Sequence, residues 1–358
     1  MNLMAAFFQR NRWLLVLTAL ALSIRAFSLD PIRVDRYYAS GIYPVLSEIM
    51  RVCIGWVPFS IGDWLYLLAG GWLLAAMVRW FLPGRGRRRP DLTSRMRLTA
   101  CWLLGVNIVF NLLWGLNYDR SGIDRRLGLE TRASDTALLP AMTSVLLGKV
   151  NAYAPAGQRK AVSISHLLSR SLEGYRLANR THPALQSPGP SFKPSLFGDI
   201  GSYIGYSGYF NPFTGEGQLN TGIPVVLHPF VTCHELAHQI GFARENEANL
   251  AGFLAARATG DSSFLYSAYL DMFLYANRNL YFLDSAAARL RYEGLSPLVR
   301  RDISELQAFQ DRHRTVIDRA TDWLFDRFLR LNGQKDGIRS YGSVVVWLLA
   351  IYRQEGGI

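Results

Sequence analysis

His234-Glu235-Leu236-Ala237-His238 is the stretch on which the reading of this chain turns. A helix advances about 100° per residue, so residues four apart lie on one face, a turn apart. His234 and His238 can therefore offer two imidazoles to one metal ion, with Glu235 beside the coordination position left open for water. A zinc-bound water loses its proton near neutral pH, and an adjacent carboxylate can accept that proton and pass it to a leaving amine. Five residues thus supply two ligands and a general base for hydrolysing an amide. The competing reading is a buried histidine pair on a helix with a solvated glutamate.

A zinc hydrolase needs a third protein ligand, and Ala243-Arg-Glu-Asn-Glu-Ala-Asn249 offers Glu245 and Glu247. On a continuous helix Glu245 would stand about 16 Å along the axis from His234, too far to share an ion. The chain must turn in between, and Gly241 is a natural helix terminus. A new helix over residues 244–259 would bring its first turn back to the metal. Glu245 and Asn249 then share a face, so that Glu245 ligates Zn²⁺ while Asn249 bonds to the far side of a histidine. Glu247 points elsewhere in that arrangement and stays the alternative ligand. The carboxylate not used is expected to be solvated or salt-bridged.

His234-Glu-x-x-His238 followed by Glu245-x-x-Ala248-Asn249 resembles the gluzincin pattern HExxH and ExxAD of membrane-bound CAAX-processing proteases. Asn249 stands where those enzymes carry aspartate, and only six residues separate His238 from Glu245. The chain is more closely similar to the bacterial membrane family catalogued as domain of unknown function 3810. The similarity rests on its N-terminal apolar helices, Tyr209-Phe-Asn-Pro-Phe-Thr-Gly-Glu216, Leu219-Asn-Thr-Gly-Ile-Pro224 and His234-Glu-Leu-Ala-His-Gln239, and it covers nearly the whole chain. The resemblance implies a gluzincin-like zinc metallopeptidase and supplies no substrate.

Hydrophobic residues make up 50% of the 358, and their excess lies near the N-terminus, which suits a membrane anchor followed by one globular domain. Membrane helices are expected at 13–29, 61–82 and 98–117. The third contains 18 charge-free residues, Leu98 to Gly115, enough to cross a bilayer. Arg25 interrupts the first, which could instead be a signal peptide with Arg10 and Arg12 as its charged region. Between Arg79 and Arg97 stand seven arginines and one acid, Asp91. The positive-inside rule holds that loop and the N-terminus in the cytoplasm. Residues 119–358 then lie outside the inner membrane of a bacterium, as an extracytoplasmic catalytic domain.

The formal charge of +12 does not point to nucleic acid, because only four residues are lysine and the basic cluster is one short loop without stacking aromatics. The expected partners are the lipid bilayer and an unidentified peptide or protein substrate. Cys53, Cys101 and Cys233 form no disulfide framework, and Cys233 reads as a small buried thiol.

The fold expected is mainly α, a bundle of three transmembrane helices (1–118) followed by a zincin-like α+β domain (119–358) with a small edge sheet. Helical periodicity covers 138–153, 162–178, 263–282, 297–331 and 341–352, and prolines make 181–196 a connection. Residues 43–56 are amphipathic and read as a surface helix at the membrane or a packed loop. Gly217 to Thr221 alternates as a strand, a candidate edge for pairing with substrate backbone or a hairpin covering the core. His228 reads as structural. Tyr341 reads first as a core tyrosine, and among the residues that could stabilise the oxyanion it leads His313 and Arg244. Two further functions share this chemistry: a zinc hydrolase of a non-peptide amide such as a cell-wall bond, and an inactive zinc-binding scaffold or sensor.

Overall fold

Apolar helices with few buried side chains begin the chain. The computed structural model describes residues 3–81, 91–157, 159–186, 189–314, 323, 326–327, 330 and 344–358. Helix α1 (Leu3–Ser28) ends before Asp30, whose carboxylate accepts from the amides of Ile32 and Arg33 and so starts α2 (Pro31–Arg33). The helix widens to π geometry over Val34–Ile42 and runs on into α3 (Tyr43–Ile54). The arm so formed bends 96° away from α1. Helices α4 (Ile61–Phe81) and α5 (Leu92–Leu113) follow.

Two of these helices, α4 and α5, are long and apolar enough to cross a membrane, or three spans if the bent pair counts as one. This is consistent with a membrane protein. Arg10 of α1 meets Asp91 at 3.2 Å, and Arg25 meets Asp119 at 3.4 Å beyond the other end of α5. Helices α1 and α5 therefore run parallel. The third segment differs from its expected limits: the helix stops at Leu113, and Gly115–Asp119 form a 3-10 turn with Asn117 and Tyr118 buried. Burying an asparagine against the globular part ends the span four residues early.

Short α6 (Ile123–Leu127), α7 (Leu139–Tyr153) and α8 (Ile164–Thr181) come next. Strand β1 (Phe192–Pro194), α9 (Gly198–Tyr203), β2 (Gly208–Asn211) and β3 (Glu216–Leu219) lead to α10 (His228–Gln239) and α11 (Glu245–Ala258). The chain continues through α12 (Ser262–Leu283), α13 (Ser285–Glu293), α14 (Pro297–His313) and α15 (Val344–Glu355). Helix α11 is buried continuously from Glu247 to Ala256, so it is the centre of the core, with α8, α10, α12 and α15 packed around it. Small residues permit that crowding. A Cβ on Gly252 would sit 3.0 Å from the backbone nitrogen of His234 on α10.

The sheet runs β1-β3-β2, with β1 parallel and β2 antiparallel to β3. This corrects one expectation. The strand within 217–221 is central, its backbone groups engaged on both sides, so it offers substrate no open edge. Strand β2 is the outer strand nearest α10. Strand β1 lies inside the proline-rich connection, and Pro194 is tolerated there because β1 is an edge. Asp284 breaks the long aromatic helix and caps a new one through the amide of Ala287, which adds α13 to the expected set. Helix α14 is described only to His313. The last helix starts at Val344, and Tyr341 lies outside the described residues.

Residues 43–54 are helical, with Tyr43, Ser47 and Met50 turned into the protein. Tyr43 shares a core with Trp114, Tyr118, Phe210 and Ala243, so this apolar arm and the globular part are packed as one body there.

Candidate metal centre

Helix α10 begins with His228, whose Nε2 lies 3.1 Å from the carbonyl of Ile223, a structural role as expected. It ends in a left-handed turn. The amide of Gly241 donates to the carbonyl of His238 (2.9 Å), and that of Phe242 donates to Ala237 (3.1 Å). Gly241 carries the φ of +86° that this pair of bonds demands. Arg244 is extended, and α11 starts at Glu245. The six residues between His238 and Glu245 are just those needed to reverse the chain.

The reversal sets Glu245 Oε2 3.2 Å from His234 Nε2 and 3.7 Å from His238 Nε2. One ligand atom from each of the three residues lies within 4.8 Å of the others. The opposite ring nitrogens are occupied. His234 Nδ1 lies 2.8 Å from Asn249 Oδ1, and His238 Nδ1 lies 2.6 Å from the carbonyl of Phe242. A carbonyl only accepts, so Nδ1 of each ring carries a proton, and Nε2, turned toward Glu245, is the nitrogen of each ring left to ligate a metal. The Asn249 amide nitrogen turns toward the Tyr275 hydroxyl at 3.5 Å, which orients its oxygen to His234.

Burial alone would raise the Glu245 carboxyl, but His238 and then His234 hold it well below the usual carboxylate range. Glu235 behaves oppositely. Burial pushes it up to about 8, with Glu245 adding to the rise and His234 opposing it. Its Oε2 is buried and meets no hydrogen-bond partner among the described residues. Strand β2 leaves room for this carboxylate, since a Cβ on Gly208 would sit 2.7 Å from Glu235 Oε1. Two imidazole Nε2 atoms, one ionised carboxylate and an unpartnered buried carboxyl beside them fit Zn²⁺ with a fourth position open.

Glu247 is elsewhere. It is buried, accepts from the amide of Ile123 (3.2 Å) and from Arg244 (3.3 Å), and pairs with Arg120 at 3.8 Å. Arg244 also donates to the carbonyls of Tyr118 and Arg120, so its guanidinium braces the chain behind the site. His313 packs against the rings of Tyr203 and Phe309 on α14 and is not in the group around Glu245.

Two residues of α12 were not anticipated. Tyr275 bonds Asn249, and Asp271, a turn earlier, is raised to about 7 by burial, with His234 pulling it back. They sit in an aromatic stripe that reads as core. The available signal was a polar pair four apart inside an apolar helix. Behind α10, the C-terminal carbonyls of Gln239 and His238 receive donors from the apolar arm and from Trp114, just past α5. The Tyr43 hydroxyl donates to Gln239 (2.9 Å), as does Ser47 (3.2 Å), and the Trp114 indole donates to His238 (3.3 Å).

A family model described as a protein of unknown function, DUF3810, matches residues 38–349. The chain belongs to this family. The matched span contains all of His234, Glu235, His238, Glu245 and Asn249, as well as α4, α5 and the three strands. Neither the curated proteins nor the solved structures contain a match.

Proposed function

We propose that this DUF3810 protein is a membrane-anchored, zinc-dependent metallopeptidase of gluzincin type, with His234, His238 and Glu245 as ligands and Glu235 as general base. The observation that carries the reading is the convergence of both Nε2 atoms on Glu245, with each Nδ1 proton already committed to an acceptor. A zinc ion bound by His234, His238 and Glu245 would supply Lewis acidity toward an amide carbonyl and toward the attacking water. Glu235 takes the water proton and returns it to the leaving amine, a role for which its buried oxygen has no competing donor. Asn249 and the Phe242 carbonyl keep the imidazoles in the ligating tautomer.

In this reading the globular part serves as a zincin-like α+β domain, and the arginine-rich loop before α5 supports its placement on the outer face of a bacterial inner membrane. The parallel course of α1 and α5 supports three crossings, which an outer domain requires.

The test compares purified full-length protein with its Glu235→Gln variant. Both should carry zinc, and only the first should generate new N-termini in a peptide pool. Identical termini from both would remove Glu235 as the base. Altered cell-wall fragments without new peptide termini would favour the non-peptide amide, and bound zinc with neither activity would favour a scaffold.

A further inference from the structure

We propose that the substrate is a polypeptide tethered to the same bilayer and cut within a few residues of the membrane surface. This rests on the peptidase reading above. The height of the site is fixed by two spans. Helix α5 is long and apolar enough to cross over its 22 residues, Leu92–Leu113. At about 1.5 Å each they cover about 33 Å, close to the roughly 30 Å of hydrocarbon in a bilayer. The outer end of the span therefore lies at Leu113, next to Trp114. The indole of that residue donates directly to the carbonyl of His238. One side chain separates the end of the span from the backbone of a metal-site histidine.

The second span fixes the other side. Glu216 of β3 accepts from the amides of Ile61 (3.2 Å) and Gly62 (2.6 Å) in the first turn of α4. Asp63 in the same turn accepts from the Tyr209 hydroxyl of β2 and from the amide of Leu196. Strands β2 and β3 are the ones that lie against Glu235, through Gly208 and Gly217. The outer strand, the ligand helix and both span ends thus sit at one level.

Two apolar groups are exposed at that level. Val45, Ile49 and Val52 point outward from α3, whose other face bonds the end of α10. Leu196, whose amide donates to Asp63, is exposed together with Ile200 and Ile204. Two such groups flanking the site suit a domain whose underside rests in the headgroup layer. A chain emerging from the bilayer crosses that layer, roughly 5–8 Å a side, in two or three extended residues. It reaches Glu235 soon after. Tethering also raises its effective concentration, an advantage on the order of 100-fold or more.

The experiment uses the full chain, zinc-loaded, in phosphatidylethanolamine–phosphatidylglycerol vesicles. The probes are two pools of the same randomised 20-residue peptides, one carrying a C-terminal palmitoyl anchor and one without it. The anchored pool should be cut about 100-fold faster, roughly three to eight residues from the anchor, and Glu235→Gln protein should cut neither. Equal cutting of both pools, or cutting only far from the anchor, overturns the tethered substrate and leaves the peptidase standing. No cutting of either pool by the unmodified protein overturns the peptidase reading and this inference with it.

Discussion

Asn249 Oδ1 stands 2.8 Å from His234 Nδ1, although the two residues are 15 apart in sequence and lie on different helices. The bond turns the His234 ring so that its other nitrogen faces Glu245. Replacing Asn249 by alanine should weaken zinc binding about 10-fold to 100-fold, whereas aspartate, which keeps the acceptor, should hold it near the original. A chelator competition titration measures both. Equal affinity in all three proteins would deny the bond any orienting role.

Glu245 and Glu247 should separate cleanly. Glu245→Ala should lose most bound zinc and stay folded, because its carboxylate serves the site. Glu247→Ala should retain zinc and lose about 3–5 kcal/mol of stability, because Arg120 would be left buried without its partner. Zinc content and denaturant unfolding of the purified variants give the two readings. The reverse pattern would move the ligand to Glu247.

Gly241 holds the reversal together. Any side chain there suffers the left-handed φ, at a cost of about 1–2 kcal/mol. A Cβ would also lie 2.9 Å from Asn117 Oδ1 and 3.1 Å from the Tyr43 ring. Gly241→Ala should therefore lower the melting temperature and the zinc affinity together. An unchanged zinc affinity would mean that the turn does not set the position of Glu245.

Those residues were legible because their signals are local. The histidine spacing, the glycine between two helical patterns and the Glu245–Asn249 interval each follow from helix geometry. What was not legible depends on distant partners. Nothing near residue 217 tells that β3 has neighbours on both sides, because β1 comes from a proline-rich connection and pairs in parallel. The amphipathic pattern of α3 shows that one face is buried, but not that Tyr43 and Ser47 end on the carbonyl of Gln239. Tyr275 and Asp271 are hidden by the aromatic residues around them.

The arginine-rich loop predicts topology. A reporter active only outside the cytoplasm should work when fused after Ile358 and fail when fused at Gly86. The opposite pattern would place the metal site in the cytoplasm.

The seam between the sheet and α4 should be measurable apart from the metal. Glu216 pairs with Lys193, accepts from Thr214 (2.8 Å) and caps the first turn of α4, all while buried. Lys193 Nζ also donates to the carbonyl of Ile54, the last residue of α3. Glu216→Ala strands the buried ammonium and should cost about 3–5 kcal/mol. Lys193→Met strands the carboxylate, which keeps its amide and hydroxyl donors, so it should cost less. Adding Lys193→Met to Glu216→Ala should recover part of the loss, since the unpaired charge is then gone. Urea unfolding of the four proteins in one detergent provides the cycle. Strict additivity would show that the two side chains do not stabilise each other, and that the sheet is held to α4 by the Asp63 contacts instead.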